Sequence, residues 1–567
     1  MSDLTAEKTI TRLVAYGSAL ITIFILSGSV TDPVNVTKLL ILGAVGTGIF
    51  GVVLKSFSKA FFLENKYILI IVSLFLISAV NSALFSNLPF AQNLYGAYGR
   101  NSGLLTYIFL AMALIGALSI RQYENLKIIV YALALAGTLN ALYSLWVISF
   151  GDFVGWVNPY GNILGTLGNP NFIGAFLGMF FSVVVAYIFD SRFSIGVRIA
   201  LVVLAAITFF EIYNSNAIQG RVVAALGIGV VLFLYLRSKF NRVVTVSYSI
   251  LAVTIGAIAS LGALQIGPLT QYIYKYSVSL RGQYWLAGWN TGEAHPLHGV
   301  GMDGFGDWYR RMRDIQALTT PGVNTIVNAA HNVFIDMFAF GGWPLFLTYT
   351  LIVILGGFSI VSVIIRVKTY DPVFTALAVA WLGYQAQSLI SINQIGLAIW
   401  GWVLTGALLA YARNLRNSDL EASSAVTKMS GKNQTNKSLN SVISSGLVAG
   451  VGIVLGGILA SPPVASDMKW RTAQLARTAN SLEAALSTSY MNPANSMKYL
   501  MSIQTFESSS LPDLSHKYAL EAVKFNPDSF ELWRALYFIQ ASTAEEKLTA
   551  LENMRRLDPL NPDVTTQ

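Results

Sequence analysis

The sequence predicts an all-α polytopic membrane protein, a bundle of about 13 transmembrane helices with a large external loop and a soluble helical tail. Composition is the first observation behind this reading. The 567 residues are 54% hydrophobic and only 11% charged, where a soluble domain carries about 25% charged residues. The second is the recurrence of apolar runs of about 20 residues, enough for a helix to cross a bilayer. The third is the distribution of lysine and arginine, which alternates between successive loops. Cysteine is absent, which excludes disulfides and thiolate metal sites. The net charge of +9 follows from the loop bias, so it does not point to nucleic acid.

The candidate spans lie near 10–29, 35–54, 66–85, 103–120, 126–149, 172–189, 196–213, 219–236, 243–265, 340–365, 372–390, 393–412 and 441–460. The first lacks a small-residue cleavage site and is closely followed by the second, so it reads as a signal-anchor. With the N-terminus inside, the inner loops hold 19 of the 37 basic residues and the outer loops eight, the tail carrying the rest. This organises the chain into a membrane core 1–416 with an external loop at 266–330, a cytoplasmic linker 417–440, a last span 441–460 and an external domain 461–567. The linker is expected because the stretch is rich in Ser, Asn and Lys without apolar periodicity. Ser461-Pro462-Pro463 is expected to end the last span. Beyond it, helical periodicity at Tyr518, Leu520, Ala522 and Val523, then at Phe530, Leu532, Trp533, Leu536 and Phe538, flanks Asn526-Pro527. A helix-turn-helix of that kind is similar to a tetratricopeptide-type repeat, and the alternative is a plain helical bundle.

Basic residues on the outer face run against the charge bias and so need a reason. Among the eight are Arg221 after Asn214-Ser215-Asn216, Arg281, the cluster Arg310-Arg311-Met312-Arg313, and Arg100 in the loop Tyr95 to Asn101. Arginine suits an anionic diphosphate because its fork bonds phosphate oxygens bidentately. A histidine beside it can exchange a proton near neutral pH. Arg221, Arg281 and His331 stand at three separate outer points that can converge, with Asn332 and Asp336 to orient them. Plainer roles exist for each: a span-end arginine snorkels, the triple-arginine cluster contacts headgroups or water, and His295 and His298 are loop surface. The glycines at 299, 301, 304 and 306 match neither the dinucleotide nor the phosphate-loop spacing.

The order Arg281-x-x-x-Trp285, His295-Pro296, Gly299-Val300-Gly301, His331-Asn332 and Gly341-Gly342 resembles the O-antigen ligase and O-antigen polymerase superfamily, which includes protein O-oligosaccharyltransferases. Gly168-Asn169-Pro170-Asn171 and the loop from Asn87-Leu88-Pro89 to Gly96 and Arg100 resemble further family patterns. Arg221 follows Gly220 where the family usually has Ser. The likeness spans roughly residues 80 to 410. It implies a GT-C-like bundle and a glycosyltransferase of the O-antigen ligase type that uses an undecaprenyl-diphosphate-linked glycan donor, without cofactor or metal. No Asp-x-Asp pair occurs in the chain.

The resemblance gives His331, Arg281 and Arg221 catalytic roles, the arginines on the diphosphate and His331 as base or diphosphate ligand. It leaves Arg100, Asn171, Trp285, His298, Arg310, Arg311, Arg313 and Asn332 as candidate substrate-binding residues. The implied partners are membrane lipids, the lipid-linked donor and an acceptor that is lipid, glycan or protein, with a possible protein partner on the tail. The implied location is a bacterial cytoplasmic membrane, with the active site and C-terminus on the periplasmic or external face. A lipid or glycan transporter would need charged or broken-helix features at the bilayer midplane. The spans hold few of these, Glu211 among them. A pure scaffold would leave Arg221, Arg281 and His331 without a role.

Overall fold

The computed structural model describes residues 2–264, 266–273, 276–427 and 443–565, and they are helical throughout, without a strand. The membrane core is built from α1 (Ser2–Ile23), α2 (Asn35–Ser56), α3 (Lys59–Phe85), the short α4 (Phe90–Tyr95), α5 (Leu104–Leu118), α6 (Tyr123–Phe150), α7 (Pro170–Ile188), α8 (Ile195–Asn214), α9 (Ile218–Lys239) and α10 (Arg242–Ala263). The external segment contributes α11 (Thr270–Ile273), α12 (Tyr276–Ala294) and α13 (Phe305–Met312), and the core resumes with α14 (Val333–Arg366), α15 (Pro372–Ser388) and α16 (Ile395–Thr427). Then follow α17 (Ser445–Ala476), α18 (Ala479–Leu486), α19 (Ser496–Ser508), α20 (Pro512–Phe525), α21 (Phe530–Phe538), α22 (Ala544–Leu557) and α23 (Pro562–Thr565).

All thirteen predicted spans are helices, but ten are long and apolar enough to cross a membrane. The other three fall short for physical reasons. Helix α1 carries Asp3, Glu7, Lys8 and Arg12. Helices α5 and α15 have 15 and 17 residues, or about 22 and 26 Å against a hydrocarbon core of about 30 Å. Both are buried along most of their length, so neighbouring helices rather than lipid surround them. Helix α1 ends at Ile23, six residues before the predicted end at 29. Lys38 closes it: its buried ammonium donates to the carbonyls of Ile21, Thr22 and Phe24 at 2.9, 2.7 and 3.1 Å. A cation on the last carbonyls of a helix meets both their unpaired lone pairs and the negative dipole end.

Helix α17 packs along α2 at very close range. A Cβ at Gly456 would lie 1.9 Å from Thr47 Oγ1 and 2.0 Å from the Gly43 carbonyl oxygen. Thr47 donates to the Gly452 carbonyl across the same seam at 2.8 Å. In lipid, where burial of apolar surface gives no drive, such small-residue contact is what brings helices together.

The expected break at Pro462-Pro463 does not occur, and α17 continues through both prolines to Ala476. The bond that Pro462 cannot make leaves the Ile458 carbonyl free. Ser461 Oγ at 2.9 Å and Tyr490 Oη at 3.2 Å donate to it instead. Asp467, one turn on, accepts from the Thr31 and Asp32 amides at 2.7 and 2.9 Å and from Tyr98 Oη at 2.6 Å. Tertiary bonds therefore hold straight what the local sequence would interrupt. The linker expected at 417–440 is likewise shorter, because α16 runs to Thr427; residues 428–440 lie outside the described residues.

The tail forms successive packed helix pairs, α19 with α20 and α21 with α22, over its own core around Trp470, Phe506 and Leu536. A capping box starts α22, with Thr543 accepting from the Glu546 amide and Glu546 from the Thr543 amide. The tail docks on the segment 303–328, so both occupy one end of the bundle. Arg121, Lys55, Arg237 and Arg413 gather at the other helix ends, bonded to Glu64 and to the carbonyls of Ile443, Val367 and Leu118.

Candidate functional site

The site is assembled around a break in α14. Gly341 and Gly342 leave helical geometry, Gly342 at φ +63°. A side chain there would strike the Pro296 carbonyl oxygen, 2.3 Å from the position of a Cβ. The segment 296–301 lies across the break. Val300 and Gly301 amides donate to the Ala339 and Phe340 carbonyls at 3.0 and 3.1 Å, and the Trp343 amide donates to the Pro296 carbonyl at 2.8 Å. The paired glycine motifs of the sequence are thus the two sides of one backbone junction, which satisfies the carbonyls that the break exposes.

His331 stands immediately before α14, with φ +56°. Asn332 follows as the N-cap, its side chain accepting from the Phe334 and Ile335 amides at 3.0 and 3.3 Å. The side-chain oxygen of Asn332, expected as a substrate-binding residue, is thus engaged at the helix start. Asp336, one turn later, accepts from the Ala330 amide at 2.8 Å and keeps its second oxygen buried and unbonded.

From α12, Tyr284 brings its ring to 5.7 Å from the imidazole of His331. Arg281, one turn earlier on the same helix, is half-buried. Among the described residues it makes no hydrogen bond or ion pair; its charge bears on Tyr284 and on His331. Burial first, then the charges of Arg281 and Arg100, press the His331 pKa down from 6.5 to about 4. The imidazole is therefore neutral at pH 7 and has a lone pair to offer. Burial also lowers the Arg281 pKa, an effect that a bound anion would relieve. Trp285 stays on this helix with its indole nitrogen buried and unbonded.

Other expected site residues have different work. Arg100 is buried and pairs with Asp303 at 2.9 Å. It also donates to the Asn328 carbonyl, so it braces the wall beside His331. Arg221 lies over the Tyr213 ring at 5.5 Å and contacts neither Arg281 nor His331. Asn171 is in the first turn of α7, its amide bonded to the Asn169 cap at 2.9 Å, so Gly168-Asn169-Pro170-Asn171 is a helix start with Pro at the first position. His298 Nδ1 is 2.9 Å from the Gly299 carbonyl oxygen.

The arginine cluster, expected as substrate-binding, is paired with the tail. Arg313 reaches both oxygens of Asp558 at 2.7 and 2.8 Å, with neither side chain exposed. Arg310 bonds Asp558 at 3.0 Å and Glu531 at 2.7 Å. Arg311 bonds Asp528 at 3.1 Å and lies 3.9 Å over Trp308. These three side chains fasten the tail to the external segment and are not free for a phosphate.

The sequence reading also missed three groups. Asp303, at φ +63°, accepts from the Ala97 amide and Ser102 Oγ besides pairing with Arg100. Asp307 accepts from Gln92 at 3.2 Å and from Asn526 of the tail at 3.4 Å, and burial lifts its pKa to about 6. Tyr284 links the His331 ring to that of Tyr309, 5.9 Å away on its other side. Among the described residues no group of three or more His, Asp or Glu side chains is placed to hold a metal ion.

Next to this site, between the external segment and the tail, is a cavity of ≈ 240 Å³. Tyr309, Asp303 and Asp307 form part of its wall, whereas Arg281 and His331 do not.

Residues 200–350 match the family model described as O-antigen ligase. The matched segment holds Arg221, Arg281, Trp285, His331 and Asn332; Arg100, Asn171 and the tail are outside it. No curated protein matches the chain.

Proposed function

We propose that this chain, whose residues 200–350 match the family model described as O-antigen ligase, is a membrane glycosyltransferase of that kind and transfers a glycan from an undecaprenyl-diphosphate donor to an acceptor hydroxyl on the outer face of the cytoplasmic membrane. One observation carries this reading: a half-buried arginine, Arg281, without a hydrogen-bond or ion-pair partner among the described residues, beside a histidine held neutral, His331. A guanidinium in such a place has lost water without gaining an anion, and a diphosphate would supply one.

In the reaction, the acceptor oxygen attacks the anomeric carbon and its proton passes to an imidazole nitrogen of His331. The bond from the anomeric carbon to the diphosphate oxygen breaks on the opposite side, so the sugar inverts and undecaprenyl diphosphate leaves. Arg281 meets the negative charge that grows on the leaving oxygen. The family resemblance gives Arg221 to the same diphosphate, and in the structure this arginine rests over the Tyr213 ring. A base of pKa about 4 is weak for this task. A bound diphosphate raises its basicity in part, since its negative charge next to Arg281 offsets the repulsion from that arginine, while burial, the larger cause, still holds His331 below its ordinary value.

The reading stands on transfer assays with purified protein, lipid-linked donor and acceptor. Arg281→Ala and His331→Ala each reduce transfer at least about 100-fold, within the range for loss of a general base or a charge stabiliser. Insertion and expression stay unchanged. Full activity in either variant refutes the assignment. A chelator of divalent ions leaves transfer intact, and complete loss would indicate a metal enzyme. Among acceptors, attachment to a lipid-borne core is the ligase reaction proposed here; loss of chain length or of protein glycosylation in a deletion strain would redirect it to polymerase or protein transferase.

A further inference from the structure

The cavity of ≈ 240 Å³ between the membrane core and the tail is built like a sugar site. Its walls combine aromatic side chains, Tyr95, Tyr309 and Phe525, with amide side chains, Gln92, Asn101 and Asn495. Flat apolar rings and amides together match a pyranose, which has C–H faces and a rim of hydroxyls. The lining offers little to a phosphate. Arg310 is committed to Asp558 and Glu531, and Lys498 donates to the Ser466 carbonyl and hydroxyl at 2.8 and 2.5 Å. Two lining residues also hold a polar atom that has no hydrogen-bond partner among the described residues, Tyr309 Oη and Asn101 Oδ1, each buried just behind the cavity wall. Such groups are rare in folded proteins and are usually met by water or a ligand.

The position is equally specific. Tyr309 stands edge-on to Tyr284, whose other neighbour is His331. Asp303, also in the wall, pairs with the Arg100 that braces His331. The ring row His331, Tyr284, Tyr309 thus runs from the catalytic candidate to the cavity wall. We infer that the cavity between the core and the tail binds a neutral saccharide unit of the glycan chain, one or two sugars away from the reacting bond. This rests on the glycosyltransferase reading of the neighbouring site and adds a second binding site to it.

The test uses the full chain in lipid nanodiscs and saturation-transfer NMR with glucose, galactose, N-acetylglucosamine and lactose. Wild-type protein transfers saturation to at least one of these sugars. Ala494→Trp fills the cavity from the tail side and weakens that binding at least 10-fold with an unchanged melting temperature. Arg281→Ala abolishes transfer but keeps sugar binding, which separates failure of this proposal from failure of the catalytic one. In turnover, Ala494→Trp raises KM for the donor if the chain in the cavity belongs to the donor, or for the acceptor if it belongs to the acceptor. Absence of any sugar signal from wild type, or equal signals in Ala494→Trp, means that the cavity holds only water and overturns the inference.

Discussion

At the scale of single residues, the site depends on which charges have partners. Arg100, Arg281, Arg310, Arg311 and Arg313 look alike in the sequence, each a cation in an outer loop. Folding separates them: four meet carboxylates and Arg281 meets none among the described residues. His331 then takes its state from that arrangement. Its depressed pKa means that protonation, and loss of the lone pair, begins near pH 4 and not near 6.5. The free-protein limb of kcat/KM is therefore flat from neutral pH down to about 5. Arg281→Gln removes a repelling charge and moves the His331 pKa upward, though burial still holds it below 6.5. NMR of histidine-labelled protein reads this directly, since the chain has only four histidines. A titration at 6.5 in both proteins would refute the electrostatic picture.

At the scale of elements, two junctions hold the site in shape. The first is the break in α14 against residues 296–301. Gly342→Ala forces a Cβ against the Pro296 carbonyl and a side chain into a left-handed conformation, so the junction must open. Thermal unfolding of the full chain should show a loss of stability, and transfer should fall with it; an unchanged melting temperature would mean that the junction yields freely. The second is the latch on the tail. Asp558→Ala leaves Arg310 and Arg313 buried without their shared carboxylate, a loss of roughly 3–5 kcal/mol by analogy with other broken buried pairs. The expected readout is protease cleavage between α17 and α22 in the variant but not in wild type. Asp307, which joins Gln92 to Asn526 of the tail, adds a smaller pH-dependent part. Burial raises its pKa to about 6 above the usual 3.8, so in the unfolded chain it binds fewer protons between these values than in the folded one. Its ionisation thus weakens tail docking as pH rises through about 6.

At the scale of the whole molecule, the tail and the external segment share one end of a membrane bundle, and the basic helix ends share the other. Under the charge rule we propose that the basic end faces the cytoplasm, and cysteine accessibility labelling in intact cells tests it. A cysteine at Ser508 should react with an impermeant reagent from outside, and one at Arg366 should not.

Residue type and spacing alone determined the membrane class, the helix positions and the set of outer-face residues worth testing. These are local properties: twenty apolar residues in a row have few other places to go. The His331 and Arg281 pair was legible because motif order survives folding. Tertiary structure alone decided the rest. Pro462 and Pro463 were expected to end a helix, yet Tyr490, Ser461 and Asp467 hold it together. The 310–313 arginines became a latch because their partners lie up to 248 residues away in the chain. Whether a charge is free depends on what folds against it, and no local pattern records that.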